Sequence, residues 1–309
     1  MQVTLIHNPG AGTNDNQRPS RRELESMIRE AGHGLRYQSV DVKDWASALA
    51  HHADLIAVAG GDGTVATVAR RLVGRGIPIA ILPIGTANNI SQTLGIAGLA
   101  PSQLITSWSS ARHVPHDAGV ARGPWGERTF IEGVGAGLFT TSIPRIDSNE
   151  TMAQLNDVDA KLGHTLQLLR DHLDECPPTR LRVKLDGEDA SGEYILFETL
   201  LMKYIGPRLH LAPNAVFGDG LFDVVMISER DREALHEHLK TRQRGVLWPP
   251  EFKTVRAKHV EIEWTGFAVH LDDTVWPTNG DGTSEPAAPI ELRAVRAAID
   301  FVVPQAVPI

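Results

Sequence analysis

The chain has only one cysteine, Cys176, which excludes an internal disulfide framework and a cysteine-rich zinc site and fits a reducing, cytoplasmic setting. It lacks an excess of positive charge. The formal net charge of −8 is the opposite of the footprint by which a protein grips nucleic acid, so no nucleic-acid partner is expected. No apolar run approaches the roughly 18–20 residues of a membrane span. The opening "MQVTLIHNPG" has neither the basic region nor the apolar core of a signal peptide. The chain therefore reads as cytoplasmic, with any membrane contact transient and peripheral. Two common nucleotide signatures are also missing: there is no G-x-x-x-x-G-K-[ST] loop, and no G-x-G-x-x-G opens the first helix.

What is present is ordinary in composition and ordered in pattern. At 42% hydrophobic and 22% charged residues the chain is a normal globular protein, and 309 residues is long for one core, so two domains are expected. Up to about residue 112, strand and helix patterns alternate. "QVTLIHN" reads as a strand. "SRRELESMIREAGHG" reads as a helix, with Ser20 and Glu23 spaced as a capping box and glycines ending it. "LRYQSV" is a second strand and "WASALAHHA" a second helix. "DLIAVAG", apolar on both faces, suits a buried parallel strand. Val65, Val68, Ala69, Leu72 and Val73 mark one face of the next helix, and "IPIAILP" is the fourth strand. This alternation predicts a parallel sheet with helical crossovers.

After residue 112 the pattern changes to hairpins. "TFIEGVGAG", "RLRVKLD", "EYILFETLLM", "LFDVVMIS", "HVEIEWTGFAVHLDD" and "PIELRAV" read as strands of a mostly antiparallel second domain spanning 113–295. One long helix, "MAQLNDVDAKLGHTLQLLRDHLDE", interrupts it. The closing "AAIDFVVP" is a further apolar strand, expected to return to the first domain over 296–309.

Three turns, "HNPGAGTN", "AGGDGT" and "PIGTANN", follow the first, third and fourth strands. Ligands of parallel sheets sit beyond such carboxyl ends. Helix N-termini there offer unpaired amides and partial positive charge to phosphate, and glycines let the backbone approach it. Asp62 lies among three glycines. It would repel phosphate unless a cation intervened, which points to Mg²⁺ carried by a nucleotide; alternatively it caps the helix that follows it.

"NPGAG", "GGDGT" and "LPIGTANN", in this order, resemble the diacylglycerol kinase catalytic domain family. That family includes bacterial lipid kinases, sphingosine kinases and ceramide kinases and is distantly related to NAD kinases and phosphofructokinases. The resemblance continues through "LAPNAVFGDGLFDVVMI" and so spans nearly the whole chain. It implies an N-terminal α/β nucleotide domain, a C-terminal β-sandwich and an active site in the cleft between them. It also implies ATP with Mg²⁺ as cofactors and a lipid hydroxyl, of diacylglycerol or a sphingoid lipid, as acceptor. By resemblance, the loops holding ATP are Asn8, Pro9, Gly10 and Gly12, then Gly60, Gly61, Asp62, Gly63 and Thr64, then Thr86, Asn88 and Asn89. Ser39 stands where the family often has a threonine near the nucleotide. Asp219, with the carbonyls of Val216 and Leu221, stands where bacterial relatives hold a structural Mg²⁺. From the residues alone, "FGDGLFD" is equally a tight turn in which Asp219 bonds its own backbone.

The chain departs from the family at the catalytic end. Asn89 replaces a carboxylate, and Ala66 and Thr67 replace a common Asn-Glu pair. The family's D-G-E turn, which supplies a general base, has no copy in the matching place. "LDGE" at 185–188 comes too early, and "VHLDDTVWP" puts Asp272, Asp273 and Thr274 there instead. Threonine cannot serve as that base, so Asp273 is the first candidate, Asp272 the second and Asp281 a weaker third, with Asp62 required as well. Alternatives are an NAD kinase-like enzyme with a soluble acceptor, and a non-catalytic regulator that binds nucleotide or lipid. Arg18, Arg21 and Arg22 could meet anionic headgroups, or simply solvate the start of a helix.

Overall fold

The computed structural model describes residues 1–12, 18–246, 251–277 and 288–307. Strands β1 (Gln2–His7), β2 (Gly34–Ser39), β3 (Leu55–Gly60) and β4 (Ile79–Pro83) form a parallel sheet in the order β4-β3-β1-β2. Every residue of β3 is buried, as its two-sided apolar sequence requires. Because β1 has β2 on one side and β3 on the other, the loops leaving β1 and β3 diverge and open a crevice at the carboxyl end of the sheet.

Helices α1 (Arg21–Glu30) and α2 (Asp62–Leu72) cover this sheet. The capping box of α1 forms as the sequence predicts, with Glu23 N–H donating to Ser20 Oγ and Ser20 N–H donating to Glu23 Oε2. "WASALAHHA" does not become an α-helix. Trp45–Ala50 is a 3₁₀ helix, held between Asp44 in the left-handed region and an extended His51. Two short helices follow, α3 (Asn89–Thr93) and α4 (Pro101–Ser107).

The rest of the chain is dominated by antiparallel strands: β5 (Arg112–Gly123), β6 (Gly126–Phe130), β7 (Gly133–Gly137), β8 (Thr179–Leu185), β9 (Glu188–Asp189) and β10 (Gly192–Leu200). They continue with β11 (Tyr204–Ile205), β12 (Leu209–His210), β13 (Phe222–Ser228), β14 (Lys253–Ala257), β15 (His259–Trp264), β16 (Val269–Leu271) and β17 (Thr274–Trp276). The last, β18 (Ala288–Val303), joins the two expected strands "PIELRAV" and "AAIDFVVP" into one, with a register shift between Val295 and Ile299 where Ala297 takes a positive φ. Its first part pairs with β15, and Phe301 and Val302 pair in parallel with Ile79 and Ala80 of β4. The chain end thus returns to the first sheet and makes the two sheets continuous.

The helical stretch expected as one piece is two. Helix α5 (Leu138–Asp147) precedes it without having been anticipated, and α6 (Glu150–Gln154) is separate from α7 (Val158–Glu175). Leu155 is extended there, and Asp157 restarts the helix by accepting from Ala160 N–H. Helix α8 (Arg232–Gln243), also unanticipated, packs beside α7. One apolar core lies in the α/β half. A second, around Phe130, Phe197 and Phe222, lies within the antiparallel half. A third, with Phe139, Leu166, Leu169 and Leu239, lies between the sheet and α5, α7 and α8.

Candidate active site

The three glycine turns converge at the carboxyl ends of β1, β3 and β4 and hold one another. Asn8 Nδ2 donates to Thr64 Oγ1 at 2.9 Å, and Asn8 Oδ1 accepts from Gly10 N–H. Asn88 closes the third turn on both sides of Gly85, accepting from its N–H and donating to its carbonyl. Gly12 has φ +70°, and a Cβ there would lie 2.4 Å from the carbonyl of Ile84. Between the turns runs a groove of about 400 Å³ lined by Asn8, Gly12, Trp45, Gly61, Gly63, Thr64 and Thr86. Pro9 and Gly10 lie on the first turn, and Gly60 ends β3. Ser39 precedes Val40, which lines the groove, and its own hydroxyl is engaged by Asp41.

Asp62 does not cap its own helix; the cap position of α2 is Gly61. Its carboxylate accepts from Asn89 N–H at 2.8 Å and Ile90 N–H at 3.0 Å, so it caps α3 across the groove. Burial pushes the carboxyl above its ordinary range, against the pull of these amides and of Arg208. Asn89 Nδ2 in turn donates to the carbonyl of Gly206. Arg208 donates to the carbonyls of Ala87 and Thr86, and Lys161 to that of Gly12. The antiparallel half therefore fastens onto the glycine turns from the far side.

Next to the groove, and sharing Gly63 and Thr86 with it, is a pocket of about 290 Å³. Asp62, Asn89, Glu132, His270 and Asp273 line it, and Phe139, Ile143, Ile146, Leu162, Leu169 and Ile205 form an apolar wall. Helices α5 and α7 supply most of that wall, and the segment from β6 to β7 supplies Glu132.

Of the expected carboxylates, Asp272 and Asp273 form the two-residue turn between β16 and β17. Asp272 is fully engaged. It accepts from the N–H groups of Ile131, Glu132 and Gly133 and pairs with Arg70 Nη1 at 2.5 Å, with its side chain 2% exposed. It bolts the turn to β7, and burial raises its carboxyl while the amides and Arg70 pull the other way. Asp273 is exposed; a Cβ on Gly63 would lie 3.3 Å from its Oδ2. Thr274 donates to Asp273 Oδ1. Asp281 lies outside the described residues.

The Asp219 segment matches the turn alternative. Leu221 N–H donates to Asp219 Oδ1, Gly220 N–H to Asp117, and Asp219 Oδ2 faces Arg256. Val216 is 55% exposed. The Arg256 guanidinium supplies positive charge beside Asp219 where the resemblance puts a cation. Among the described residues, no group of three or more His, Cys, Asp or Glu is arranged to hold a metal. Of the three arginines, Arg21 pairs with Glu25 and lies over the Tyr37 ring, Arg22 is exposed, and Arg18 sits against Gly12.

Glu132, Glu198, His270 and Arg208 were not singled out from the sequence. Glu132 and Glu198 are lone charges inside apolar strand patterns, and that was the available signal. Glu198 and His270 are both buried beneath the pocket, with His270 Nε2 3.0 Å from Glu198 Oε2. His270 Nδ1 donates to the carbonyl of Asp272, so the pair supports the turn from below.

The chain matches known proteins along its length. A family model for the diacylglycerol kinase catalytic domain covers residues 2–121, and one for the YegS C-terminal NAD kinase β-sandwich-like domain covers 147–309. A protein of Mycobacterium tuberculosis named diacylglycerol kinase is 26% identical over 315 residues, 94% of this chain and 95% of that one. A Shewanella frigidimarina protein named "Probable lipid kinase YegS-like" is 25% identical, covering 92% and 89%. The fold is also that of a solved structure from Bacillus anthracis described as a diacylglycerol kinase, with TM-score 0.72 at 22% identity over 99% of this chain and 98% of that one. Among the described residues, no helix is long and apolar enough to cross a membrane.

Proposed function

The chain belongs to the diacylglycerol kinase family of lipid kinases, and from that premise we propose that it transfers the γ-phosphate of ATP to a lipid hydroxyl. One observation carries this reading. The glycine-turn groove and the apolar pocket meet at Gly63 and Thr86, so a phosphate donor in the first and an acyl chain in the second would bring their reacting ends together. The groove offers amides and hydroxyls at the N-terminus of α2, where phosphate is stabilised. The pocket offers Phe139, Ile143, Ile146, Leu162, Leu169 and Ile205, which suit an acyl chain far better than a nucleotide.

The site is rich in carboxylates, and a bare triphosphate would be repelled by Asp62, Asp273 and Glu132. This supports Mg²⁺ arriving with ATP, which Asp273, the exposed carboxylate beside Gly63, would help to hold. When bound, the ion neutralises charge on the phosphates. The chain's own groups orient the donor through Asn8, Thr64 and Thr86, and the apolar wall excludes water. Positioning and electrostatics supply most of the rate in such transfers. Membrane contact is then transient, during lipid uptake.

The test is incubation with γ-labelled ATP and dispersed diacylglycerol, ceramide or sphingosine. Label is expected in an organic-soluble lipid phosphate. Label appearing on NAD instead would favour the soluble-acceptor reading, and ATP binding with no transfer at all would favour a regulator.

A further inference from the structure

We propose that Glu132 is the group that takes the proton from the acceptor hydroxyl, a role the sequence pattern had pointed to Asp273. The inference rests on the kinase reading above. The backbone at Glu132 is fixed from two sides: its N–H donates to Asp272 at 2.8 Å, and its carbonyl accepts from Leu201 N–H at 3.0 Å. Glu132 lines the pocket and is only 9% exposed as a residue, its carboxylate oxygens open onto the pocket space, and no hydrogen bond holds them among the described residues. A carboxylate that lines a pocket with no protein partner keeps its lone pairs available to what the pocket binds.

The neighbouring carboxylates differ in this respect. Asp62 has both oxygens filled by the amides of α3, and Asp272 has three amides and Arg70. Asp273 stands at the exposed mouth beside the glycine turn, on the nucleotide side. Glu132 alone of the four is a largely buried residue whose carboxylate has no hydrogen-bond partner among the described residues, and it lines the same pocket as Gly63 and Thr86. A lipid with its chain along the apolar wall would present its hydroxyl there. Thr274 leaves the turn without the expected base, and Glu132 reaches the same pocket from the segment between β6 and β7.

In the step, the lipid O–H proton passes to a Glu132 oxygen while the hydroxyl oxygen forms a bond to the γ-phosphorus. The bond from that phosphorus to the β–γ bridging oxygen breaks, ADP leaves with the electron pair, and Glu132 later releases its proton to water. Burial, then the charges of Asp62, Asp272 and Asp273, raise the Glu132 carboxyl well above its ordinary range, with Arg70 acting against them. When ionised, such a carboxylate is the stronger base, while its ionised share at neutral pH is smaller.

The experiment compares wild type, Glu132→Gln, Glu132→Asp and Asp273→Asn in single-turnover transfer from γ-labelled Mg·ATP to diacylglycerol, ceramide and sphingosine in mixed micelles. Glu132→Gln keeps the backbone bonds and the side-chain shape. It is expected to lose on the order of 10²–10⁴-fold in rate, with the KM for ATP and the ATP-induced rise in Tm unchanged. Glu132→Asp should recover part of the loss. A Glu132→Gln enzyme turning over as fast as wild type overturns the assignment, as does a Glu132→Asp enzyme no faster than Glu132→Gln. Should wild type bind ATP yet label none of these lipids, the kinase reading itself falls, a result distinct from a fast Glu132→Gln.

Discussion

Asp62 accepts a hydrogen bond from the backbone N–H of Asn89 at 2.8 Å, so the carboxylate of one glycine turn closes the helix that follows another. Asn89 stands where a carboxylate was expected, and here its main chain, not its side chain, meets Asp62. Asp62→Ala should therefore cost about 0.5–2 kcal/mol of stability in urea unfolding, the usual value of a lost helix cap. Phosphoryl transfer should fall as well. An Asp62→Ala protein as stable as wild type would show that the cap contributes nothing.

Gly61 and Gly85 touch through bare backbone. A Cβ on Gly85 would lie 2.3 Å from the Cα of Gly61, and one on Gly61 would lie 3.1 Å from the Cα of Gly85. Gly85→Ala should force the two turns apart at a cost of about 1–3 kcal/mol, and Gly61→Val should do the same. Both variants should lose the ATP-dependent rise in Tm that ligand binding gives by mass action. Normal ATP stabilisation in Gly85→Ala would mean that the turns separate freely.

Arg256 faces Asp219 where a structural cation was expected from resemblance. EDTA should therefore leave the Tm of wild type unchanged. Asp219→Asn should cost no more than about 1 kcal/mol, as for a partly exposed ion pair. A Tm lowered by EDTA in wild type but not in Asp219→Asn would restore the cation.

Glu198 and His270 form a buried pair under the Asp272–Asp273 turn. Removing one partner by Glu198→Ala should destabilise the protein by about 3–5 kcal/mol. Burial pushes the Glu198 carboxyl up, against the pull of His270. For His270, burial acts downward, but the facing carboxylate and the hydrogen bonds outweigh it and leave the imidazole above its ordinary 6.5. Both folded-state values are raised, so the folded chain holds protons more tightly than the unfolded one. Stability from His270 is full below pH 6.5 and is lost as pH rises through the raised value. Thermal unfolding followed from pH 6 upward should show a falling Tm in wild type and a flatter profile in His270→Gln.

Much of this protein was legible in local pattern. The two-sided apolar run of β3, the Ser20–Glu23 capping box and the glycine turns after β1, β3 and β4 depend on residues a few positions apart, where sterics and hydrogen bonding are decided by the chain's own neighbours. The motifs in their order carried the family. The partners of the charged groups were not legible in this way. Asp62 finds its amides 27 and 28 residues on, Asp272 bonds to Glu132 across 140 residues, and Asp219 faces Arg256. Tertiary structure alone decided that Asp272 is a bolt, that Asp219 has a guanidinium for company and that Glu132 lines the pocket. The reason is physical: a carboxylate's chemistry is set by desolvation and by the charges and amides around it, and in this fold those are delivered by strands remote in sequence.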